Sequence, residues 1–154
     1  MQKVEVRFLI LKFGKILLLK NREEKSLEIG KWILPGGELL MKENLKEAVN
    51  RILHEKSGWR TKDIRLFKLA TFTYAETELH EIIFIVEAID KLAHHIEGNR
   101  WFTLSDLPSF KEIDSEHTQI IKAFKDLVHK GKTLDLESLP PSFDLKDEKK
   151  IRQL

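Results

Sequence analysis

Cysteine is missing from all 154 residues, and its absence removes disulfide scaffolds, thiolate zinc sites and cysteine nucleophiles together. A surplus of one charge sign is missing too. Lys and Arg number 27 against 25 Asp and Glu, a net of +2, so a nucleic-acid polymer is not the expected partner. No apolar run is long enough to span a bilayer, and Arg7, Lys12 and Lys15 break the stretch where a signal peptide would keep its apolar core. A cytoplasmic protein with no membrane partner is expected. Repeats and low-complexity segments are absent as well. What remains is 42% hydrophobic and 34% charged residues, interspersed, which suits one globular domain and excludes disorder of the whole chain.

Residues 4–11 alternate, with Val4, Val6, Phe8 and Ile10 on one face and Glu5, Arg7 and Leu9 on the other, the pattern of a half-buried strand. Phe13, Gly14 and Lys15 make a short turn into the apolar run Ile16 to Leu19. Asn21 to Gly30 is polar and loop-like, and Trp32 to Leu34 runs into the chain-breaking Pro35, Gly36 and Gly37. Asn44 can cap a helix, with Glu47 three residues on, Leu45, Ala48, Val49, Ile52 and Leu53 as its apolar stripe and Gly58 as its stop. Ile64 to Tyr74 and Leu79 to Ile89 read as an antiparallel pair, and Arg100 to Thr103 as a short strand. Asp114 or Ser115 caps a second helix, striped by Ile120, Phe124, Leu127 and Val128 and ended by Gly131. Clustered strands without βαβ alternation predict a mixed or antiparallel sheet with helices packed on its faces.

From Gly36 to Trp59 the chain reads GGELLMKENLKEAVNRILHEKSGW, a glycine-rich loop feeding a helix. Glycines let backbone approach a ligand closely, and a helix amino end favours anions, so the arrangement suits phosphate chemistry. Counting from Gly37, Glu43 follows after five intervening residues and Arg51 after seven more, and then come Leu53, Glu55, Gly58 and Trp59. This pattern resembles the Nudix box, the signature of hydrolases of nucleoside diphosphates linked to another moiety, written G-x5-E-x7-R-E-U-x-E-E-x-G-U with U apolar. Trp32, Leu34, Pro35 and Gly36 before it, and Glu97, Arg100, Trp101, Leu104, Leu107 and Pro108 after it, are similar to segments the family uses.

The resemblance covers roughly residues 4–130 and implies an α/β Nudix (MutT-like) fold over residues 1–131, a mixed β-sheet sandwiched between α-helices. It implies hydrolysis of phosphoanhydrides, a nucleotide-type small molecule as partner, and Mg2+ or Mn2+ as cofactor. By the same resemblance Glu43, Arg51 and Gly58 support the loop and helix, while Glu55, Glu97 and the Gly37 carbonyl are the metal ligands. Glu55 and Glu97 are then the catalytic candidates; Gly36 and Gly37, from the glycine-rich loop, and Lys56, which departs from the family pattern, are the phosphate-binding candidates.

Two positions depart from the box. Ile52 stands where the family has the glutamate after the arginine, and Lys56 where it has the second of two adjacent glutamates. At about 100° per residue, positions 52, 55 and 56 of a helix fall within an arc of roughly 100°. One carboxylate, one ammonium and one aliphatic group there replace three carboxylates, and a hard cation needs several oxygen ligands. Weak metal binding, or none, is expected. Ile52 also reads simply as core, and Lys56 as a solvated group, a partner of Glu55, or a direct phosphate ligand in the metal's place.

Glu97 reads as an added ligand or base, or as a loop acid; Glu76, Glu78 and Glu81 could also supply a carboxylate. Trp32, Phe72, Tyr74 and Trp101 are available to stack on a base, and His94 with His95 lacks metal-ligand spacing. Two functions compete: a nucleotide-binding protein with weak or absent turnover, and an active hydrolase using Glu55, Glu97 and a carboxylate from another loop. The tail, residues 132–154, could fold back on the domain, lie at a homodimer interface, or stay free.

Overall fold

Alternating side chains at the start of the chain form β1 (Gln2–Lys12), which turns through Phe13 and Gly14 into β2 (Lys15–Lys20). Both turn residues have positive φ, 50° and 73°, the two-residue reversal that matches strand twist. The computed structural model describes residues 1–92, 96 and 98–129. Glu97, His94, His95, Gly131 and the 132–154 tail, with the roles expected of them, lie outside the described residues.

Short β3 (Trp32–Ile33) pairs with β2, and β4 (Gly36–Glu38) pairs with β1. The long hairpin β5 (Trp59–Tyr74) and β6 (Thr77–Lys91) joins the sheet through β6, which lies parallel to β1 with Val6 opposite Ile82, while β7 (Asn99–Thr103) pairs antiparallel with β2. The sheet is therefore mixed, with one parallel contact at its centre.

Helices cover both faces. Val6, Phe8, Ile10 and Leu17 pack with Leu45, Val49 and Ile52 of α1 (Leu45–Ile52). Leu9, Leu11, Ile16 and Leu18 pack on the other face with Ile120, Ile121 and Phe124 of α2 (Ser115–His129). Phe8 to Leu11 are consequently all buried, so β1 is half-buried only at its beginning, where Glu5 and Arg7 alternate with Val4 and Val6. A mixed sheet between helices is the arrangement that the box resemblance implies.

Both helix caps form as the sequence suggests. Asn44 Oδ1 accepts the Glu47 amide at 2.8 Å, and Asp114 Oδ1 accepts the Glu116 amide at 2.9 Å. The first helix, however, does not continue regularly to Gly58. After Ile52 the chain widens into one π-helical turn, Leu53–Ser57, which Gly58 closes in the left-handed region at φ 72°. Ser57 Oγ donates to the Leu53 carbonyl across that turn, so the count of 100° per residue ends at Ile52. Nor is Gly36–Glu38 a loop: it is a strand, with Gly36 opposite Arg7 and Gly37 opposite Val6.

Candidate active site

A cleft of about 640 Å³ opens where β4, the end of α1 and the beginning of α2 converge on the first residues of β1. Gly36 and Gly37 form part of one wall, and both are glycine for reasons of space. A Cβ on Gly36 would collide with the Val6 carbonyl oxygen, and one on Gly37 would stand 3.3 Å from Ile52 Cγ1. Glycine here brings β4 hard against β1 and α1 together.

The loop between β4 and α1 is held by the Glu43–Arg51 pair. Arg51 Nε donates to one carboxylate oxygen at 2.7 Å and its Nη2 to the other at 3.0 Å, a two-pronged contact. Nη2 also donates to the Glu38 carbonyl at 2.9 Å, and Glu43 accepts the Leu40 amide at 3.1 Å. The Arg51 hydrogen bonds, and after them the Leu40 amide, hold the Glu43 carboxyl below the usual carboxylate range against the opposing effect of burial.

At the end of this helix the three box positions take separate places. Ile52 is wholly buried beneath Gly37. Glu55 is half exposed at the cleft and lies 3.4 Å from Arg51 Nη1. Lys56 lines the same cleft, exposed, and makes no ion pair or hydrogen bond with any described residue, so the pairing with Glu55 does not form. Divalent metal of the family's kind calls for several anionic oxygens at this place. The donor set fits poorly: one carboxylate already shared with an arginine, one hydrocarbon and one ammonium. Among the described residues no three His, Cys, Asp or Glu side chains gather as a metal-holding group.

Of the facing wall the sequence offered only Glu81, as one of three possible added carboxylates. Arg7 Nη2 lies 2.7 Å from Glu5, Nη1 donates to the Leu34 carbonyl at 3.2 Å, and Nε stands 3.7 Å from Glu81 Oε1. Glu81 itself is buried, and neither carboxyl oxygen has a hydrogen-bond partner among the described residues. Burial pushes its pKa up to about 7; Arg7 opposes the rise, and Glu5 and Asp114 add to it. Glu116, on the first turn of α2, is likewise raised by burial and then by Glu5. His117 is buried, and its Nδ1 accepts the Leu34 amide at 3.0 Å. Burial, then the charge of Arg7, holds its pKa well below the usual histidine value, so the ring is neutral with its proton on Nε2.

Two further cations, Lys20 and Arg22, line the cleft. Lys20 Nζ lies over the Trp32 ring, 4.4 Å from its centre, whereas Arg22 is exposed and has no ion pair among the described residues. Of the aromatic residues expected to stack on a base, Trp32 packs edge-on against Phe102, and Trp101 packs against Trp59 on the α1 face, away from the cleft lining. Neither Phe72 nor Tyr74 belongs to that lining. A charged triplet interrupting otherwise apolar strands, Glu5 and Arg7 in one and Glu81 in another, was the available signal for the facing wall.

A family model described as the NUDIX domain matches residues 1–124. The 8-oxo-dGTP diphosphatase of Buchnera aphidicola subsp. Schizaphis graminum is 27% identical over 122 residues, covering 78% of this chain and 91% of its own. Among solved structures, a MutT NUDIX hydrolase from Burkholderia pseudomallei superposes with a TM-score of 0.68 at 23% identity, over 79% of this chain and 97% of that one. A MutT protein from Methanosarcina mazei gives a TM-score of 0.63 at 26% identity, over 82% and 94%.

Proposed function

We propose, from the premise that the chain belongs to the Nudix family, that it binds a nucleoside diphosphate-linked ligand in the cleft and hydrolyses phosphoanhydrides weakly or not at all. The observation that carries this reading is the pair of departures at the helix end: Ile52 committed to the core and the Lys56 ammonium free at the cleft beside Glu55. An ammonium attracts phosphate and repels magnesium, so it favours retention of the anion over assembly of a metal site. Metal in this family both activates water and neutralises phosphate charge, and Lys56 with Arg22 supplies only the second of these.

In this reading the ligand's phosphates lie between Lys56, Arg22 and the backbone of Gly36 and Gly37, all of which line the cleft. Glu43 and Arg51, already engaged with each other, keep the β4–α1 loop in shape. Glu55, and Glu97 outside the described residues, remain the candidates for a single weakly held magnesium or manganese ion. A second reading, metal-dependent hydrolysis, has one observation in its favour: Glu5, Asp114 and Glu116 bring more carboxylates to the same cleft.

Thermal unfolding in EDTA with ADP-ribose, UDP-glucose and 8-oxo-dGTP, run beside phosphate release in Mg2+ and Mn2+, separates the two. The 8-oxo-dGTP probe is taken from the Buchnera relative. Expected is stabilisation by at least one ligand without metal, about 2.7 kcal/mol at roughly 100 times its Kd, weakened in Lys56→Ala. Rapid cleavage by the unaltered protein, abolished by EDTA, overturns the proposal.

A further inference from the structure

A second pocket, of about 450 Å³, lies on the α1 face of the sheet and shares no lining residue with the cleft. It is walled by Lys12 and Lys15 on either side of the β1–β2 turn, Phe13 at that turn, Trp59 and Lys91 on the β5–β6 pair, and Trp101 on β7. Its turn end is five residues along β1 from Arg7, about 17 Å at strand rise. The volume is that of a small-molecule site.

Its composition is that of neither a core nor an ordinary surface. Trp59 and Trp101 meet edge to face with ring centres 5.4 Å apart, and Lys12 Nζ sits 4.6 Å from the Trp59 ring centre while donating to the Ile89 carbonyl at 2.7 Å. Lys15 and Lys91 are exposed and have no ion pair or hydrogen bond with any described residue. Among the described residues of the lining none is acidic. The nearby Asp90 is held chiefly by Arg60 and also feels the charge of Lys12. Lys12, Lys15 and Lys91 thus share the pocket with aromatic rings, and none of its described lining residues is an anion.

Phe13 gives an independent sign. A two-residue reversal of this kind favours Asn, Asp or Gly at its first position, because φ is positive there. Instead it holds a phenylalanine at φ 50° whose ring is 88% exposed, so this residue neither suits the turn nor serves the core. Its ring lies beside Lys12, 5.3 Å from Nζ to the ring centre.

We infer that this pocket is a second ligand site, for an anion of mononucleotide size, with phosphate taken by Lys15 and Lys91 and a flat ring laid against Phe13 and Trp101. Aromatic rings and two free ammonium groups lining one pocket call for a ligand with both a π-face and a negative charge, which a nucleoside monophosphate combines. The Asn99 amide, also in the lining, can donate to and accept from a base edge. The inference stands whatever the cleft binds.

The test is titration of the uniformly 15N-labelled full chain with GMP in EDTA, following the three indole N–H signals. Saturable shifts of the Trp59 and Trp101 signals, with Trp32 unmoved, are expected. Affinity should fall about tenfold in Lys15→Ala/Lys91→Ala, whose side chains are exposed and unpartnered. Phe13→Asn suits the turn better, cannot fail through misfolding there, and should weaken GMP by about threefold. Arg22→Ala/Lys56→Ala, in the cleft, should leave these shifts unchanged. The inference is overturned if GMP leaves both indoles unmoved, if the cleft variant abolishes the shifts, or if inorganic phosphate binds as tightly as GMP. A short single-stranded oligonucleotide binding more than a hundredfold tighter than GMP would also overturn it, in favour of a nucleic-acid track.

Discussion

At the scale of single residues, the least comfortable group is Glu81. Its carboxyl is buried with both oxygens unpartnered, and its pKa stands at about 7 against 4.5 for a free glutamate. Between those values the folded protein holds a proton that the unfolded chain has lost, so stability falls as pH rises through this window and levels off above about 7. The whole effect amounts to about 3 kcal/mol. Glu81→Gln should therefore match the parent at pH 5 and melt higher at pH 8, a difference of about 2 kcal/mol in urea unfolding. Equal melting at both values would place the carboxylate's cost elsewhere. Its neighbour Arg7 lines the cleft.

Ile52 poses the opposite case. A glutamate there would enter a wholly buried place under Gly37, so Ile52→Glu should lower stability by roughly 3 kcal/mol, read by denaturant titration without metal. A variant as stable as the parent would show that the helix end can turn this side chain out to the cleft.

Among elements, β4 is the one that composition conceals. Three residues with two glycines give no strand signal, and a chain break is the natural reading of Pro35, Gly36 and Gly37. Only the approach of β1 shows why glycine is needed. Gly36→Ala should cost about 2–3 kcal/mol and disorder the β1–β4 pairing, because its Cβ meets backbone that cannot step aside. Gly37→Ala should cost less, since Ile52 can shift by a few tenths of an ångström. Hydrogen exchange at the Phe8 and Leu39 amides, which bond to the Pro35 and Val4 carbonyls across this pair, would report both. The π-helical turn escaped for a related reason: apolar spacing at Leu45, Val49, Ile52 and Leu53 fixes the start of a helix face but does not reveal a turn widened between Leu53 and Ser57.

For the whole molecule, much of the architecture was legible because apolar periodicity and caps agree. The Asn44 and Asp114 caps, the Phe13–Gly14 reversal and the β5–β6 hairpin all stand where local chemistry puts them. Half of the site was legible as well. The Glu43–Arg51 pair and Glu55 with Lys56 at the cleft come from one contiguous motif. Glu5, Arg7, Glu81 and His117 could not be assembled in advance, because their meeting depends on which strands are neighbours, and the parallel contact of β1 with β6 leaves no local mark. For the same reason Trp101, one of four aromatics available to stack on a base, could not be assigned in advance to its place against Trp59.

That parallel contact also bears on how the protein is made. β1 is translated first, yet Val4 finds its neighbour only at His80, and the hairpin carrying it must emerge before the sheet has a centre. Until then the apolar run from Phe8 to Leu11 has β2 at its edge and α1 over Phe8 and Ile10, while Leu9 and Leu11 still lack α2. Closure across so long a stretch of chain is slow, and a nascent chain stalled before residue 91 is the species for a chaperone to meet.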